Sequence, residues 1–233
     1  MMKRILTTAL LTLTIFSCEK NTENTMIVSG NIKGLKKGTL FLQQFNDSSL
    51  VVLDSLEIKG DGTFTFTEEL ENPDVFYLYL DKEDQNDVND RIVFFGEPGQ
   101  ITINTSWNTF DKNPEILGSK SHEKLAEFSE MLSKFNLKDL SLMKEAAQPE
   151  YQENTEALDS LQRLADQNLV SRYRYILNFG LNNGDSYATP YIMVTEAQDA
   201  NPKYLDSVYS KLTPEVASSK YGKALQEFLK EKE

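Results

Sequence analysis

The N-terminal half of the chain alternates between apolar and polar residues in short runs, a pattern typical of half-buried β-strands. Turn residues separate the runs, and Gly60-Asp61-Gly62 predicts a tight hairpin turn between the third and the fourth. The seven runs are 26–32, 39–45, 50–58, 63–67, 75–80, 91–95 and 100–104. Short strands at regular spacing predict an antiparallel β-sandwich or an open barrel.

Beyond Gly118 the apolar residues recur at helical spacing. Gly118-Ser119 predicts the cap of a first helix, and Pro149 predicts the start of a second. Three pairs of a capping residue and proline predict short helices over 190–198, 202–212 and 214–231. The apolar stripe of the second helix consists of Leu158, Leu161, Ala165, Leu169, Tyr173, Ile176 and Gly180. We interpret such stripes as seams between packed helices rather than as ligand sites.

The first residues have the organisation of a secretory signal peptide: Lys3-Arg4, an apolar stretch over 5–16, and Ser17 before Cys18. Cys18 is the only cysteine, and Ile15-Phe16-Ser17-Cys18 resembles the lipobox of bacterial lipoproteins. We therefore expect lipidation at Cys18, although a buried N-terminal helix is the alternative. The predicted organisation is a signal peptide (1–17), a lipidated cysteine with a polar tether (18–25), a β-sandwich domain (26–117) and an α-helical region (118–233). The fold class predicted is α+β in two parts.

The composition limits the chemistry and the partners. With 24 basic and 36 acidic residues the formal net charge is −12, which disfavours binding to nucleic acid and to anionic head groups. Membrane association is therefore expected to come from N-terminal acyl chains such as palmitate, in the cell envelope and on the periplasmic or surface face of the outer membrane. A single cysteine excludes thiol redox activity and internal disulfides.

A series of turn and strand motifs carries a resemblance to a known domain. In order they are Val28-Ser29-Gly30-Asn31-Ile32-Lys33-Gly34, Gly38-Thr39-Leu40-Phe41-Leu42, Asp54-Ser55-Leu56, Asp61-Gly62-Thr63-Phe64-Thr65-Phe66, Pro98-Gly99 and Gly118-Ser119. Over 26–228 the chain resembles a domain of unknown function, common in Bacteroidota lipoproteins, that usually precedes a thioredoxin-like domain of the TlpA or AhpC/TSA type. The resemblance implies a lipid-anchored, exported setting and a sandwich followed by helices. Because there is no Cys-x-x-Cys, we expect the oxidoreductase domain to be absent here.

The sequence offers few candidates for specific chemistry. The acidic stretch 81–90 is a candidate ligand or Ca²⁺ loop, but its spacing does not fit an EF-hand, and a solvated hairpin loop is the favoured interpretation. Its candidate ligands are Asp81, Glu83, Asp84, Asp87 and Asp90. Three aromatic residues outside the strands, Trp107, Phe110 and Tyr151, are candidates for recognition. His122, the only histidine, is interpreted as a solvated residue near a helix start. No catalytic residue, cofactor or metal ligand set is predicted.

These observations lead to a leading hypothesis and two alternatives. The leading one is a non-catalytic, lipid-anchored envelope protein that acts as an accessory module and binds a protein or a small ligand. One version of it places the module beside a separate thioredoxin-like protein. The first alternative is a hydrolase that uses paired carboxylates, such as a glycosidase. The second is a self-assembling structural lipoprotein whose edge strands pair between chains.

Overall fold

Two four-stranded β-sheets pack face to face and are followed by a group of helices. The computed structural model describes residues 24–46, 49–82 and 90–232. The strands are β1 (Thr25–Lys33), β2 (Lys37–Asn46), β3 (Ser49–Lys59), β4 (Thr63–Glu69), β5 (Asp74–Asp81), β6 (Asp90–Gly96), β7 (Gly99–Ser106) and β8 (Glu115–Leu117). All seven predicted strands are present. β8 was missed because three residues are too few to show alternation.

The two sheets have the strand orders β4-β1-β7-β8 and β3-β2-β5-β6. A sandwich is therefore confirmed, but β1 and β7 run parallel, with Met26 opposite Gly99, so an entirely antiparallel arrangement is wrong. The predicted hairpin is also wrong, because β3 and β4 belong to different sheets. The turn at 60–62 instead carries the chain across the sandwich, and the Ile32 amide donates to the Gly62 carbonyl oxygen at 2.9 Å. Gly62 has a φ of +76°, which favours glycine.

The sandwich core follows the alternation of the sequence. In β4, Phe64 and Phe66 are buried while Thr63, Thr65 and Thr67 are exposed. Across the second sheet, the rings of Phe76 and Phe94 stack with their centroids 5.8 Å apart. Burial of one face therefore explains why short alternating runs form these strands.

The helices have the bounds α1 (Lys120–Ala146), α2 (Pro149–Gln152), α3 (Thr155–Asn182), α4 (Ala188–Glu196), α5 (Pro202–Tyr209), α6 (Pro214–Ser218) and α7 (Lys220–Glu231). The second predicted helix is split because Asn154 caps a new helix by accepting a hydrogen bond from the Ala157 amide at 3.1 Å. The predicted helix 214–231 is likewise split at Ser219, which caps α7. The change of period at Gly118 is confirmed: Ser119 caps α1 through the His122 amide at 3.0 Å.

A second core joins the helices to the outer face of the sheet β3-β2-β5-β6. Val75 and Phe95 from this sheet belong to one buried cluster with Phe128, Ile176 and Ile192 from α1, α3 and α4. The two parts predicted from sequence are therefore in direct contact. Among the described residues no helix combines the length and hydropathy needed to span a bilayer.

The helices α1 and α3 form a long hairpin that is anchored at one end. At that end Phe128 of α1 packs against Phe179 of α3, with ring centroids 5.2 Å apart. We call the other end, residues 132–168, the distal hairpin. Its helical segments bury only Leu142 and Leu161, while several of its leucine and methionine side chains are exposed. The distal hairpin is thus a two-helix arrangement with incompletely buried apolar residues.

Candidate functional site

An open apolar groove of about 620 Å³ lies between α3 and α5; we call it the α3–α5 groove. Its apolar lining consists of Leu169, Val170, Tyr173, Leu177, Leu181 and Ala200, together with the Tyr204 ring. Three of these side chains are unusually open to solvent: Leu169 is 47% exposed, Val170 48% and Tyr204 57%. Soluble proteins rarely leave large apolar side chains together at the surface without a binding role.

The local sequence explains how the two helices come together. Gly180 of α3 is buried against α5, and a Cβ at this position would lie 2.7 Å from Cγ1 of Val208. Asn201 caps α5 by accepting a hydrogen bond from the Lys203 amide at 3.0 Å, and Pro202 occupies the first helical turn. The close contact at Gly180 and the capped start of α5 therefore fix the position of α5, which forms the wall of the groove opposite α3.

A second depression of about 570 Å³ lies between α1 and α3 along the distal hairpin; we call it the hairpin groove. Met143 and Leu158 contribute apolar surface, and Leu169 lines both this groove and the α3–α5 groove. Three carboxylates, those of Asp139, Asp159 and Asp166, stand along the hairpin groove. The two depressions therefore meet at Leu169 and share an apolar interior with acidic edges.

A buried carboxylate connects the sheet to the last helix. Oδ1 of Asp74 accepts hydrogen bonds from the Val75 amide at 2.7 Å and from the Tyr221 hydroxyl at 2.5 Å. Its Oδ2 accepts from the Gln44 side chain at 2.8 Å and from Nζ of Lys220 at 2.5 Å. Burial, and then the bond to Asp74, raise the pKa of Tyr221 well above its usual range, so this hydroxyl stays a donor.

A cleft of about 360 Å³ opens beside this cluster and is lined by Glu68, Glu69 and Glu71 as well as by Asp74. Burial, and then the charge of Asp54, raise the pKa of Glu68. A raised pKa is what a general acid needs. Asp74, by contrast, accepts four hydrogen bonds, and the one from Lys220 is also an ion pair.

His122 is not a simply solvated residue, so that interpretation is wrong. Its Nδ1 accepts a hydrogen bond from the Phe95 amide at 3.4 Å, and burial lowers its pKa. The side chain lines a depression of about 340 Å³ between α1 and α4. The reason is that the first turn of α1 packs against β6, which a helix-start motif alone does not reveal.

The other residues singled out from the sequence are dispersed. Cys18, Glu83, Asp84 and Asp87 lie outside the described residues. Asp81 ends β5 and Asp90 begins β6, and these two strands pair antiparallel. The acidic stretch therefore connects neighbouring strands, as a hairpin loop would.

The three candidate recognition aromatics also have different environments. Phe110 is fully buried in the sandwich core, so its assignment to recognition is wrong. Trp107 is half-exposed, and Nζ of Lys82 lies 6.0 Å from the centre of its ring. The Tyr151 hydroxyl donates to Oε1 of Glu145 at 2.7 Å, a bond that raises the pKa of Tyr151 and closes the turn between α1 and α2. No two of these aromatics share a site on the described part of the chain.

Comparison with known proteins concerns mainly the sandwich. Residues 26–125 match a family model described as Domain of unknown function (DUF4369). This segment is similar to that domain of unknown function. It begins in β1 and ends in the second turn of α1, so every residue that lines the two grooves lies outside the matched residues. Searches of curated proteins and of solved structures gave no match.

No metal centre is evident in the described parts of the sandwich and of the helices. Among the described residues no group of three or more His, Cys, Asp or Glu side chains is placed to hold a metal ion. The sequence did not single out the grooves or Asp74. The stripe from Leu158 to Gly180 was a signal for the grooves, but it was interpreted as a packing seam.

Proposed function

We propose that this protein is a non-catalytic accessory module, lipid-anchored through Cys18 in the cell envelope, that binds a protein partner through the α3–α5 groove. The observation that carries the proposal is the set of exposed apolar side chains along one side of α3 and on Tyr204. Complete burial of an exposed leucine or valine side chain contributes about 1.5–3 kcal/mol, so covering the exposed halves of Leu169 and Val170 contributes roughly half of that for each. The aromatic Tyr204 is also of the type that dominates protein interfaces.

The chemistry of the groove favours a protein over a small polar substrate. Its lining is mainly aliphatic and aromatic, and the polar side chains that complete it are those of Arg174, Asn178, Asp199, Asn201 and Ser207. An apolar centre with a polar rim is the usual anatomy of a protein interface. The proposal of a partner, including a separate thioredoxin-like protein, follows from this arrangement and from the family resemblance.

Site-specific crosslinking in intact cells tests the proposal. A photoreactive phenylalanine analogue is placed at Leu169 in one strain and at Val93 in another; these side chains are 47% and 46% exposed, and Val93 lies on β6. We expect a reproducible protein adduct from position 169 that position 93 does not give. An adduct that is equally abundant at both positions, or the absence of any protein adduct at 169, would refute the proposal.

The cleft beside Asp74 supports one alternative, a carboxylate-dependent hydrolase. The specific observation is the raised pKa of Glu68 at this cleft. Glu68→Gln keeps the shape of the side chain and removes the proton donor, and Glu57→Gln on the exposed surface of β3 is the control. A glycosidase activity that is lost with Glu68→Gln and kept with Glu57→Gln would favour the hydrolase over the accessory module.

A further inference from the structure

We propose that the occupant of the two grooves is an amphipathic helix with basic residues along its flanks, supplied by the partner protein. This inference rests on the proposed function and specifies the partner. The α3–α5 groove and the hairpin groove both contain Leu169, and their α3 residues extend from Leu158 to Leu181. At 1.5 Å per residue this part of α3 is about 35 Å long, which matches a partner helix of about 20 residues or more.

A helix fits this surface because of how the distal hairpin is built. Two antiparallel helices leave a furrow along their contact line, and a third helix fills such a furrow in helical bundles. The furrow between α1 and α3 contains the exposed side chain of Met143 and the half-buried side chain of Leu158. Within the chain, the described helices α4 and α5 pack against α3 at its anchored end rather than along the distal hairpin. A helix from another protein would supply the missing third element.

The edges of the grooves determine the charge of the partner. Four carboxylates line the two depressions, those of Asp139, Asp159, Asp166 and Asp199, against one guanidinium, that of Arg174. Within the described residues none of the four carboxylates forms an ion pair with lysine or arginine. Lysine and arginine on the flanks of an incoming helix would meet these acidic edges, which increases both selectivity and the rate of association.

The same charges disfavour the other occupants. A second copy of this chain would bring a formal net charge of −12 and the same acidic edges to the interface. Like charges placed opposite each other cost several kcal/mol and suppress association. An anionic membrane surface is disfavoured for the same reason, because the acidic edges would face its head groups. A basic helix is the occupant that satisfies both the apolar interior and the acidic rim.

A pair of designed peptides tests the inference on the purified full chain. The first is a 21-residue acetylated and amidated helix with leucine on one face and lysine on the flanks; the second has glutamate in place of every lysine. We expect the lysine peptide to bind at least tenfold more tightly than the glutamate peptide by isothermal titration calorimetry. We also expect its affinity to fall as the salt concentration rises, because exposed charges are screened.

Matched variants separate the groove from the overall charge of the protein. Asp159→Lys combined with Asp166→Lys should weaken binding of the lysine peptide at least tenfold. Glu69→Lys combined with Glu71→Lys, on and beside β4, makes the same change in net charge away from the grooves and should weaken binding much less. Leu169→Gln should weaken it at least fivefold, and Val93→Gln should not. All variants are first required to keep the urea midpoint of the parent protein. If both charge pairs weaken binding equally, or if the lysine peptide does not bind, the inference is overturned.

Failure of the basic-helix inference can be distinguished from failure of the proposed function. A protein adduct at position 169 together with equal binding of the two peptides would keep the accessory module and overturn the basic helix. Concentration-dependent dimerisation that Leu169→Gln abolishes would likewise overturn it, because the occupant would then be a second copy. Binding of the lysine peptide that is lost with the aspartate variants and with Leu169→Gln supports the inference.

Discussion

Replacing Asp74 with alanine should be among the most damaging single substitutions in the protein. The side chain is only 4% exposed and joins β5 to α7 through Lys220 and Tyr221. Removing the carboxylate leaves the Tyr221 hydroxyl and the Gln44 amide without their acceptor. Because these groups are partly or fully removed from water, their lost hydrogen bonds are not fully replaced by solvent.

The magnitude follows from the number and type of these contacts. A hydrogen bond to a charged group contributes about 1.5–3 kcal/mol, and loss of one partner of a buried ion pair costs about 3–5 kcal/mol. The Lys220 side chain is 42% exposed, so its ammonium group regains water and the contributions are not additive. We therefore expect Asp74→Ala to lower the free energy of unfolding by about 4 kcal/mol. With an m value of about 2 kcal/mol/M, the urea midpoint should fall by about 2 M.

The chain offers a close control for the local part of this effect. Oδ1 of Asp54 accepts a hydrogen bond from the next backbone amide at 2.7 Å, the same contact at the same length that Oδ1 of Asp74 makes with Val75. Asp54 is exposed, and Asp54→Ala should therefore change stability by less than about 1 kcal/mol. Equal urea midpoints for the two variants would refute the reasoning, because the long-range contacts of Asp74 would then contribute nothing.

Three further predictions concern other parts of the structure. Burial lowers the pKa of His122, so as the pH falls below about 6.5 the unfolded state binds a proton before the folded state does, and the folded state loses stability. The urea midpoint should therefore fall more between pH 8 and pH 5.5 for the parent protein than for His122→Asn. Parallel curves for the two proteins would contradict this. Gly30→Ala should cost at least about 3 kcal/mol because its Cβ would lie 1.7 Å from the Ile103 carbonyl oxygen. Gly60→Ala is the control, because a Cβ at this position meets no atom within 4 Å and the substitution should cost only the strain of the positive φ, about 1–3 kcal/mol. A larger loss of unfolding free energy at position 60 than at position 30 would be evidence against the close approach at Gly30. Amides of the distal hairpin should exchange hydrogen faster than those near Phe128, as measured by mass spectrometry, and uniform protection along α1 would argue against local opening.

The sequence predicts the strands well because each one buries a single face. In β4 the alternation of phenylalanine with threonine is itself the burial pattern. The partners of the strands are not predictable in this way, because β1 would show the same alternation beside a parallel or an antiparallel neighbour. The parallel pairing with β7 and the passage between sheets at 60–62 depend on contacts that are distant in the sequence.

The helix boundary at Asn154 is a different kind of error. Asparagine is a preferred capping residue, so the local signal for a new helix was present. The proline at 149 offers an equally good local signal for an earlier start, and the apolar stripe begins soon afterwards, so the sequence alone does not select residue 154. Asp74 had no comparable signal, since its partners Lys220 and Tyr221 lie about 146 residues further along the chain.

The apolar stripe of α3 shows where sequence reasoning about a binding surface stops. Leu161 and Ile176 are buried as a packing seam requires, but Leu169, on the same stripe, is 47% exposed. The period of a stripe reports that its residues share one face of a helix; it does not report whether the same chain supplies a partner for that face. Because the DUF4369 match ends at residue 125, the similarity to that family gives no information about the residues of α3. The exposed part of Leu169 and the carboxylates near it are the surface that the proposed basic helix would cover.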